Sequence, residues 1–228
     1  MSLTADDLAM IGLSLRVAAC ATVVSIIVAL PVAWLLARGR FWGRSLVNAL
    51  VHLPLVLPPV VTGYLLLNVF GRRGLVGGWL ADTLGIVFAF RWTGAALAAA
   101  IMGFPLVVRA IRLGIEQVDT RLEDTAATLG ASPWRVWATI TIPLCLPAIV
   151  AGAILGFAKA LGEFGATITF VSSIPGETQT LALAIYAATQ SPGGEAKVLR
   201  LLAFSVAVSF AALLASEALV RRTRAATR

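Results

Sequence analysis

Five long apolar stretches constrain the fold of this 228-residue chain more than any other feature. A helix needs about 20 mainly apolar residues to cross a bilayer, and within lipid it satisfies its own backbone hydrogen bonds. The stretches of that length are 10–37, 46–70, 92–114, 147–171 and 198–220. We therefore predict an all-α polytopic membrane protein, one domain over residues 1–228 with about five transmembrane helices.

Composition supports a membrane protein and excludes several other classes. Hydrophobic residues make up 59% of the chain and charged residues 13%, whereas soluble domains carry about 25% charged residues. The single histidine, His52, argues against a histidine metal cluster or a Ser-His-Asp triad. The net charge of +7 is spread between apolar runs, so we predict contact with membrane lipid and no nucleic-acid partner.

The distribution of basic residues predicts the orientation of the chain. Cytoplasmic loops of membrane proteins carry an excess of Lys and Arg. With five spans, one side receives eleven basic residues: Arg38, Arg40, Arg44, Arg109, Arg112, Arg121, Arg135, Arg221, Arg222, Arg224 and Arg228. The other side receives five: Arg72, Arg73, Arg91, Lys197 and Arg200. We predict an outside N-terminus and a cytoplasmic C-terminus. The start of the chain carries Asp6 and Asp7 and no basic residue, so we expect the first span to be retained rather than cleaved as a signal peptide.

The cytoplasmic segment 115–146 is too polar for lipid and strongly patterned. Thr120 and Glu123 have the spacing of a capping box that starts a helix near Arg121, and Gly130 is placed to end it. A narrow apolar face follows from Leu122, Ala126 and Leu129. Such a helix suits a groove on another protein, or it is a surface helix that only caps the bundle.

A second cytoplasmic helix is predicted directly after this corner. Ser132 suits an N-cap and Pro133 the first helical position. We expect this helix to end near Ile140, before Pro143 and Pro147 lead into the fourth span.

The segment resembles the signature of ABC importer permeases, which is Glu-Ala-Ala, three residues, Gly, nine residues, Ile-x-Leu-Pro. Here it is Asp124-Thr125-Ala126, Gly130, Ile140, Ile142 and Pro143, with the spacing intact and Thr125 the one real change of character. In that family this helix docks into the ATPase subunit and is called the coupling helix. The resemblance implies docking roles for Arg121, Leu122, Glu123, Asp124, Thr125, Ala126, Ala127, Leu129, Gly130, Ala131, Ser132, Pro133, Ile140 and Pro143.

Nearly the whole chain is similar to the molybdate permeases within that family. The matching stretches are 52–61, 71–74, 104–112, 161–171 and 174–178. The resemblance implies a type I importer in the bacterial cytoplasmic (inner) membrane that imports molybdate or tungstate, served by a periplasmic molybdate-binding protein and two cytoplasmic ABC ATPase subunits. A sulfate-type oxyanion permease is the alternative. The sequence has no G-x-x-x-x-G-K-[ST] loop, so we expect no ATPase activity and no cofactor on this chain, with ATP and Mg²⁺ used by the partner.

Ionisable residues and prolines inside the spans are candidates for the translocation pathway. Lys159 and Glu163 are four residues apart, so they share a helical face and can form an ion pair. Prolines in the second span break helical hydrogen bonds, which membranes tolerate around a cavity. We assign to the pathway Pro54, Pro58, Pro59, Lys159, Glu163, Phe164 and Thr167. The alternatives are a structural ion pair and a passive kink.

Five spans enclose little space, so we expect a homodimer with the pathway between the copies.

The sequence leaves two other function classes open. An ion-coupled transporter or channel acting alone would instead use Lys159 and Glu163 as its coupling site. A membrane-embedded enzyme would need paired Asp motifs, a Ser-His pair or metal ligands, and the sequence offers none of them.

Overall fold

The computed structural model describes residues 4–226, with side chains through residue 212 and at residue 214. Within that range it contains helices, turns and loops and no strand. The helices are α1 Ala5–Arg38, α2 Arg44–Val56, α3 Pro59–Phe70, α4 Leu75–Leu84, α5 Trp92–Gln117, α6 Thr120–Thr128, α7 Pro133–Val136, a π-helical turn Trp137–Thr141, α8 Ile142–Leu161, α9 Gly165–Val171, α10 Leu181–Thr189 and α11 Glu195–Ala226. The all-α prediction is confirmed.

Three helices in the described residues are long and apolar enough to cross a membrane, or four if a bent pair is counted as one span. The three are α1, α5 and the continuous helix 133–161 that contains α7, the π turn and α8. The fifth predicted span, 198–220, falls inside α11. Most side chains of its C-terminal half lie outside the described set.

The second predicted span, 46–70, is two helices rather than one kinked helix. α2 ends at Val56 and α3 begins at Pro59, and the two axes meet at 114°. Pro58 and Pro59 have no N–H to donate, and a residue that precedes proline avoids the α conformation. Leu57 is accordingly extended, with ψ 141°. The break therefore follows from the Leu-Pro-Pro sequence.

The helix that contains the start of the fourth predicted span, 147–171, begins earlier in the chain, and it is interrupted near the end of that span. The helix begins at Pro133, in the polar segment 115–146, and runs to Leu161. After a gap at residues 162–164 the chain continues as α9. Helical structure thus begins earlier in the chain than the apolar stretch itself, because a helix does not have to end where polar residues begin.

The predicted end near Ile140 is wrong because a π turn accommodates Pro143. The N–H of Ile142 donates to the carbonyl of Trp137, five residues back. A proline in regular α-helix leaves one carbonyl unpaired and crowds it with its ring. The wider π turn changes the hydrogen-bond register just before Pro143, so the chain stays helical.

Small residues bring α5 against α1 and α8 at the centre of the fold. Buried alanines and glycines occupy much of α5, which lets backbones approach closely where lipid removes the hydrophobic driving force between helices. Gly152 and Gly156 of α8 lie in close contact with α5. A Cβ on Gly156 would lie 2.7 Å from Val107 Cγ2, and one on Gly152 would lie 3.3 Å from Ala110 Cβ.

Large exposed apolar side chains cover the outside of this core. On α1 they include Val23, Val24, Ile27 and Val28, and on α11 Leu202, Val206 and Phe210. An apolar surface of this extent is typical of contact with lipid or with other membrane helices.

Two shorter helices, α4 and α10, lie in the connections between the predicted spans. Leu183 and Ala184 of α10 are buried, and Ala184 joins Met10 and Leu201 in a small apolar cluster. The connection 172–197 therefore packs into the bundle and is more than an exposed loop.

Candidate functional site

The candidate site has two parts, the segment α6–α7 at one end of the bundle and the breaks in the second and fourth predicted spans. Asp119 is the N-cap of α6, and its Oδ1 accepts a hydrogen bond from the Arg121 N–H at 2.9 Å. The predicted capping box of Thr120 and Glu123 is therefore wrong. The helix starts one residue earlier, since an Asp N-cap satisfies the same free N–H groups.

The corner at Gly130 has the predicted geometry. Gly130 has φ 85°, in the left-handed region that favours glycine. Ala131 N donates to Ala126 O at 3.0 Å, and Gly130 N donates to Ala127 O at 3.0 Å, the hydrogen-bond pair of a Schellman motif. Helix α7 then restarts with Pro133 in its first turn. The local structure of the corner follows from its glycine and proline.

The corner presents apolar side chains to the surroundings. Leu129 is 84% exposed and Trp134 is 71% exposed, and the Trp134 ring stacks on Trp137 with centroids 4.7 Å apart. No atom lies within 4 Å of a Cβ placed on Gly130. An exposed apolar tip on a rigid corner fits insertion into a partner's groove.

The predicted docking residues divide into two groups by exposure. The exposed ones are Arg121, Leu122, Asp124, Thr125, Ala127, Leu129, Gly130, Ser132, Pro133 and Pro143, and the partly buried ones are Glu123, Ala126, Ala131 and Ile140. The exposed group forms the surface available to a partner.

Glu123 faces the body of the protein. Its Oε2 lies 3.3 Å from Arg38 Nε, at the end of α1. Its Oε1 accepts a hydrogen bond from Thr141 Oγ1 at 2.7 Å, and Arg38 Nη2 donates to Val118 O at 2.9 Å. The sequence does not reveal this cluster, because Arg38 and Glu123 are far apart along the chain.

The predicted pair of Lys159 and Glu163 is present, although the helix stops between them. Lys159 Nζ lies 2.5 Å from Glu163 Oε2, and the two side chains are 31% and 2% exposed. The second carboxylate oxygen, Oε1, accepts a hydrogen bond from Ala166 N at 3.1 Å. Glu163 therefore joins the end of α8 to the first turn of α9, a connection that i,i+4 spacing alone does not reveal.

The two breaks pack against each other through glycines. A Cβ on Gly165 would lie 2.6 Å from Pro59 Cβ, and one on Gly63 would lie 2.5 Å from Ala166 O. Thr169 Cβ is a further neighbour of Gly63 at 2.9 Å. Helices α3 and α9 thus touch backbone to backbone next to the ion pair.

The remaining predicted pathway residues lie around this contact or apart from it. Thr167 is buried, and the Phe164 ring packs on Tyr186 with centroids 4.9 Å apart. Pro58 is the exposed N-cap of α3. Pro54 lies apart in the sequence of elements, in the last turn of α2.

A second missed pair joins the first and last helices at the opposite end of α1. Arg200 Nε lies 3.1 Å from Asp7 Oδ2, and Asp7 is fully buried. Asp7 also forms a capping box with Thr4 at the start of α1. The Thr-x-x-Asp spacing would have revealed the cap, but not its partner Arg200.

Replacing Asp7 by asparagine is expected to destabilise the end of the bundle at which α1 begins. The change removes a buried charge that is paired with the partly exposed Arg200, at a cost of about 2 kcal/mol, below the range for a fully buried pair. The melting temperature of the detergent-purified protein measures the effect. Asp6→Asn is the control because Asp6 is exposed. Equal melting temperatures of the two variants would contradict a stabilising role for the Asp7–Arg200 ion pair.

The sequence matches the family model described as "Binding-protein-dependent transport system inner membrane component" over residues 13–225. It is 55% identical to the molybdenum transport system permease protein ModB of Haemophilus influenzae, covering 95% of this chain and 94% of that protein. Identity to the protein of the same name from Escherichia coli K12 is 54%, covering 98% of each. The sulfate transport system permease protein CysT of Escherichia coli K12 is 39% identical over 71% of this chain and 58% of that protein. Among solved structures, a bacterial ABC transporter that imports alginate is similar with a TM-score of 0.76, at 16% identity over 96% of this chain and 80% of that chain.

Proposed function

Because the chain belongs to the family of binding-protein-dependent transport system inner membrane components, we propose that it is the permease subunit of an ATP-driven importer for molybdate. The exposed corner at Gly130 carries this proposal. It offers a rigid apolar tip at one end of the bundle, as a separate motor subunit requires. The identities of 55% and 54% to two molybdenum permeases, against 39% to a sulfate permease, favour molybdate as the substrate.

The energy for transport comes from partner subunits. The sequence lacks a phosphate-binding loop of the G-x-x-x-x-G-K-[ST] type, so ATP and Mg²⁺ are bound by two cytoplasmic ATPase subunits and this chain carries no cofactor. The docking surface consists of the exposed residues of α6 and the corner, with Leu129 and Trp134 at its tip.

The complete importer contains two copies of this chain and a periplasmic molybdate-binding protein. A solved alginate transporter is described in complex with its substrate-bound periplasmic protein, and its chain is similar to this one in fold. The N-terminus and the end held by Asp7 and Arg200 face the periplasm. Arg38 and the corner face the cytoplasm, in agreement with the excess of basic residues there.

Transport proceeds by alternating access between the two copies. Closure of the ATPase subunits moves α6, and the spans rock between inward-open and outward-open states. The breaks beside Lys159 and Glu163 lie along the pathway, together with Pro58, Pro59, Phe164 and Thr167. Pro54 lies in the other half of the broken second span, in the last turn of α2, and we assign it to the pathway with them.

Replacing Ala126 by tryptophan or Gly130 by valine is expected to stop molybdate uptake and ATPase attachment. Tryptophan at 126, a partly buried position, adds bulk at the edge of the docking surface and displaces α6. Valine at 130 adds a β-branched side chain at φ 85°, which costs about 1–2 kcal/mol and reshapes the corner. Uptake into vesicles and co-purification of the ATPase are the measurements.

The matched control is Gly43→Val. Gly43 has φ 93° and open space around its Cβ position, so it carries the same strain on the same side of the membrane, outside the docking segment. Gly130→Asn is a milder variant, since asparagine tolerates this conformation. Full uptake with normal ATPase attachment in both Ala126→Trp and Gly130→Val would refute the docking assignment.

Reconstitution of the purified chain separates this proposal from a transporter that acts alone. Without ATPase subunits the chain is expected to move no molybdate across vesicles under an ion gradient. Uptake under those conditions would favour ion-coupled transport through Lys159 and Glu163. Competition by tungstate and sulfate in the complete assembly defines the oxyanion.

A further inference from the structure

Glu123 sits in the middle of the docking segment, yet its side chain contacts the bundle. The neighbouring Asp124 is exposed, whereas the Glu123 side chain is 18% exposed and faces Arg38. The two adjacent acids of α6 therefore point to different surroundings, one toward a partner and one toward the spans.

The Glu123 carboxylate contacts two long helices at once, near the point where they also pack on each other through Leu36 and Cys145. One oxygen lies 3.3 Å from Arg38 Nε, at the end of α1. The other oxygen, Oε1, accepts a hydrogen bond from Thr141 Oγ1 at 2.7 Å. Thr141 is at the end of the π turn that leads into α8. A rigid displacement of α6 therefore acts on both helices through one side chain.

Arg38 is positioned to depend on this contact. Its Nε is buried and has no hydrogen-bond partner among the side chains that the structure describes, and the Glu123 carboxylate supplies a counter-charge 3.3 Å away. Its Nη2 is held by the carbonyl of Val118, just past the end of α5. The guanidinium thus links the ends of α1, α5 and α6.

The π turn at Trp137–Thr141 is a place where α8 can change its position relative to α6. It departs from α-helical register, and such turns are often found at functional sites. Thr141 is its last residue and is 1% exposed, so its hydroxyl has little access to water as an alternative partner. Its only hydrogen bond as a donor among the described residues goes to Glu123.

We propose that Glu123 is a positioning residue that transmits movement of the docking helix to α1 through Arg38 and to α8 through Thr141. This inference rests on the proposed function, because it needs a motor that moves α6. It assigns to Glu123 a role in coupling hydrolysis to transport, distinct from holding the ATPase.

The test uses the complete importer, with its ATPase and binding protein, in lipid vesicles. Molybdate taken up per ATP hydrolysed is measured for Glu123→Gln and Thr141→Val. We expect this ratio to fall about threefold to tenfold in both, while the ATPase still co-purifies. Thr141→Ser keeps the hydroxyl and is expected to keep the ratio.

Glu116→Gln is the matched control, since Glu116 is a carboxylate on the same side whose partner, Arg112, lies on the same helix. A wild-type ratio in both Glu123→Gln and Thr141→Val would overturn the inference, even with a lowered melting temperature, because only a structural role would remain. Loss of the ATPase from Glu123→Gln would also overturn it, by making Glu123 a docking contact. If the unmodified assembly imports no molybdate with ATP, the proposed function itself fails.

Discussion

Gly63→Ala is expected to destabilise the protein by about 3 kcal/mol, at the upper end of what added volume in a packed core costs. The new Cβ would lie 2.5 Å from Ala166 O and 2.9 Å from both Ala166 Cα and Thr169 Cβ. Two of these neighbours are backbone atoms, which cannot rotate away. The contact between α3 and α9 would have to open, and uptake would fall with it.

Gly12→Ala is the matched control for Gly63→Ala. Gly12 is also a helical glycine, and no atom lies within 4 Å of its Cβ position. Alanine there is expected to be neutral or to stabilise slightly, because alanine favours helix more than glycine does. Denaturation of both variants in mixed detergent measures the difference. Equal stability of Gly63→Ala and Gly12→Ala would contradict the close contact of α3 and α9, in which a Cβ on Gly63 would lie 2.5 Å from Ala166 O.

The sequence predicts those features of the fold that depend on neighbouring residues. The apolar runs predict all-α structure, and the Leu-Pro-Pro sequence at 57–59 predicts a break in the helix of the second span. The glycine at 130 predicts the corner, because only a residue at ease with positive φ ends a helix this way. In each case the cause lies within a few residues of the effect.

Features that depend on distant residues could not be predicted from the sequence. Apolarity cannot distinguish the gap at residues 162–164 from a continuous span, and periodicity does not reveal the close contact of Gly63 with α9. The partners of Asp7 and Glu123 are Arg200 and Arg38, each brought near by the fold. The π turn before Pro143 is a response of the backbone to a proline that otherwise predicts a helix end.

The candidate site shows the same division between local and distant causes. The Lys159–Glu163 pair was predicted from i,i+4 spacing and is present. Its link to α9 through Ala166 N was not predicted, because that link exists only where the helix is interrupted at residue 162. The docking segment was recognised by its motif, but the direction of the Glu123 side chain depends on where α1 ends.

Lys159→Met is expected to have the second large effect, a loss of about 3 kcal/mol together with loss of uptake. The substitution leaves the Glu163 carboxylate, 2% exposed, without its cation. Removing one partner of a buried ion pair costs about 3–5 kcal/mol, and the 31% exposure of Lys159 places the expected value at the lower end. Stability in detergent and uptake in vesicles are measured together.

The double variant Lys159→Met with Glu163→Gln separates the cost of an unpaired charge from a role in transport. Glutamine keeps the oxygen that accepts from Ala166 N and carries no charge, so most of the lost stability is expected to return. If uptake returns with it, the pair is structural. If stability returns and uptake stays low, the charges act on the oxyanion. Glu116→Gln is the reference, because it breaks an exposed pair within one helix at little cost. If Lys159→Met is as stable as Glu116→Gln, the prediction that Glu163 is buried beside the broken helix is contradicted.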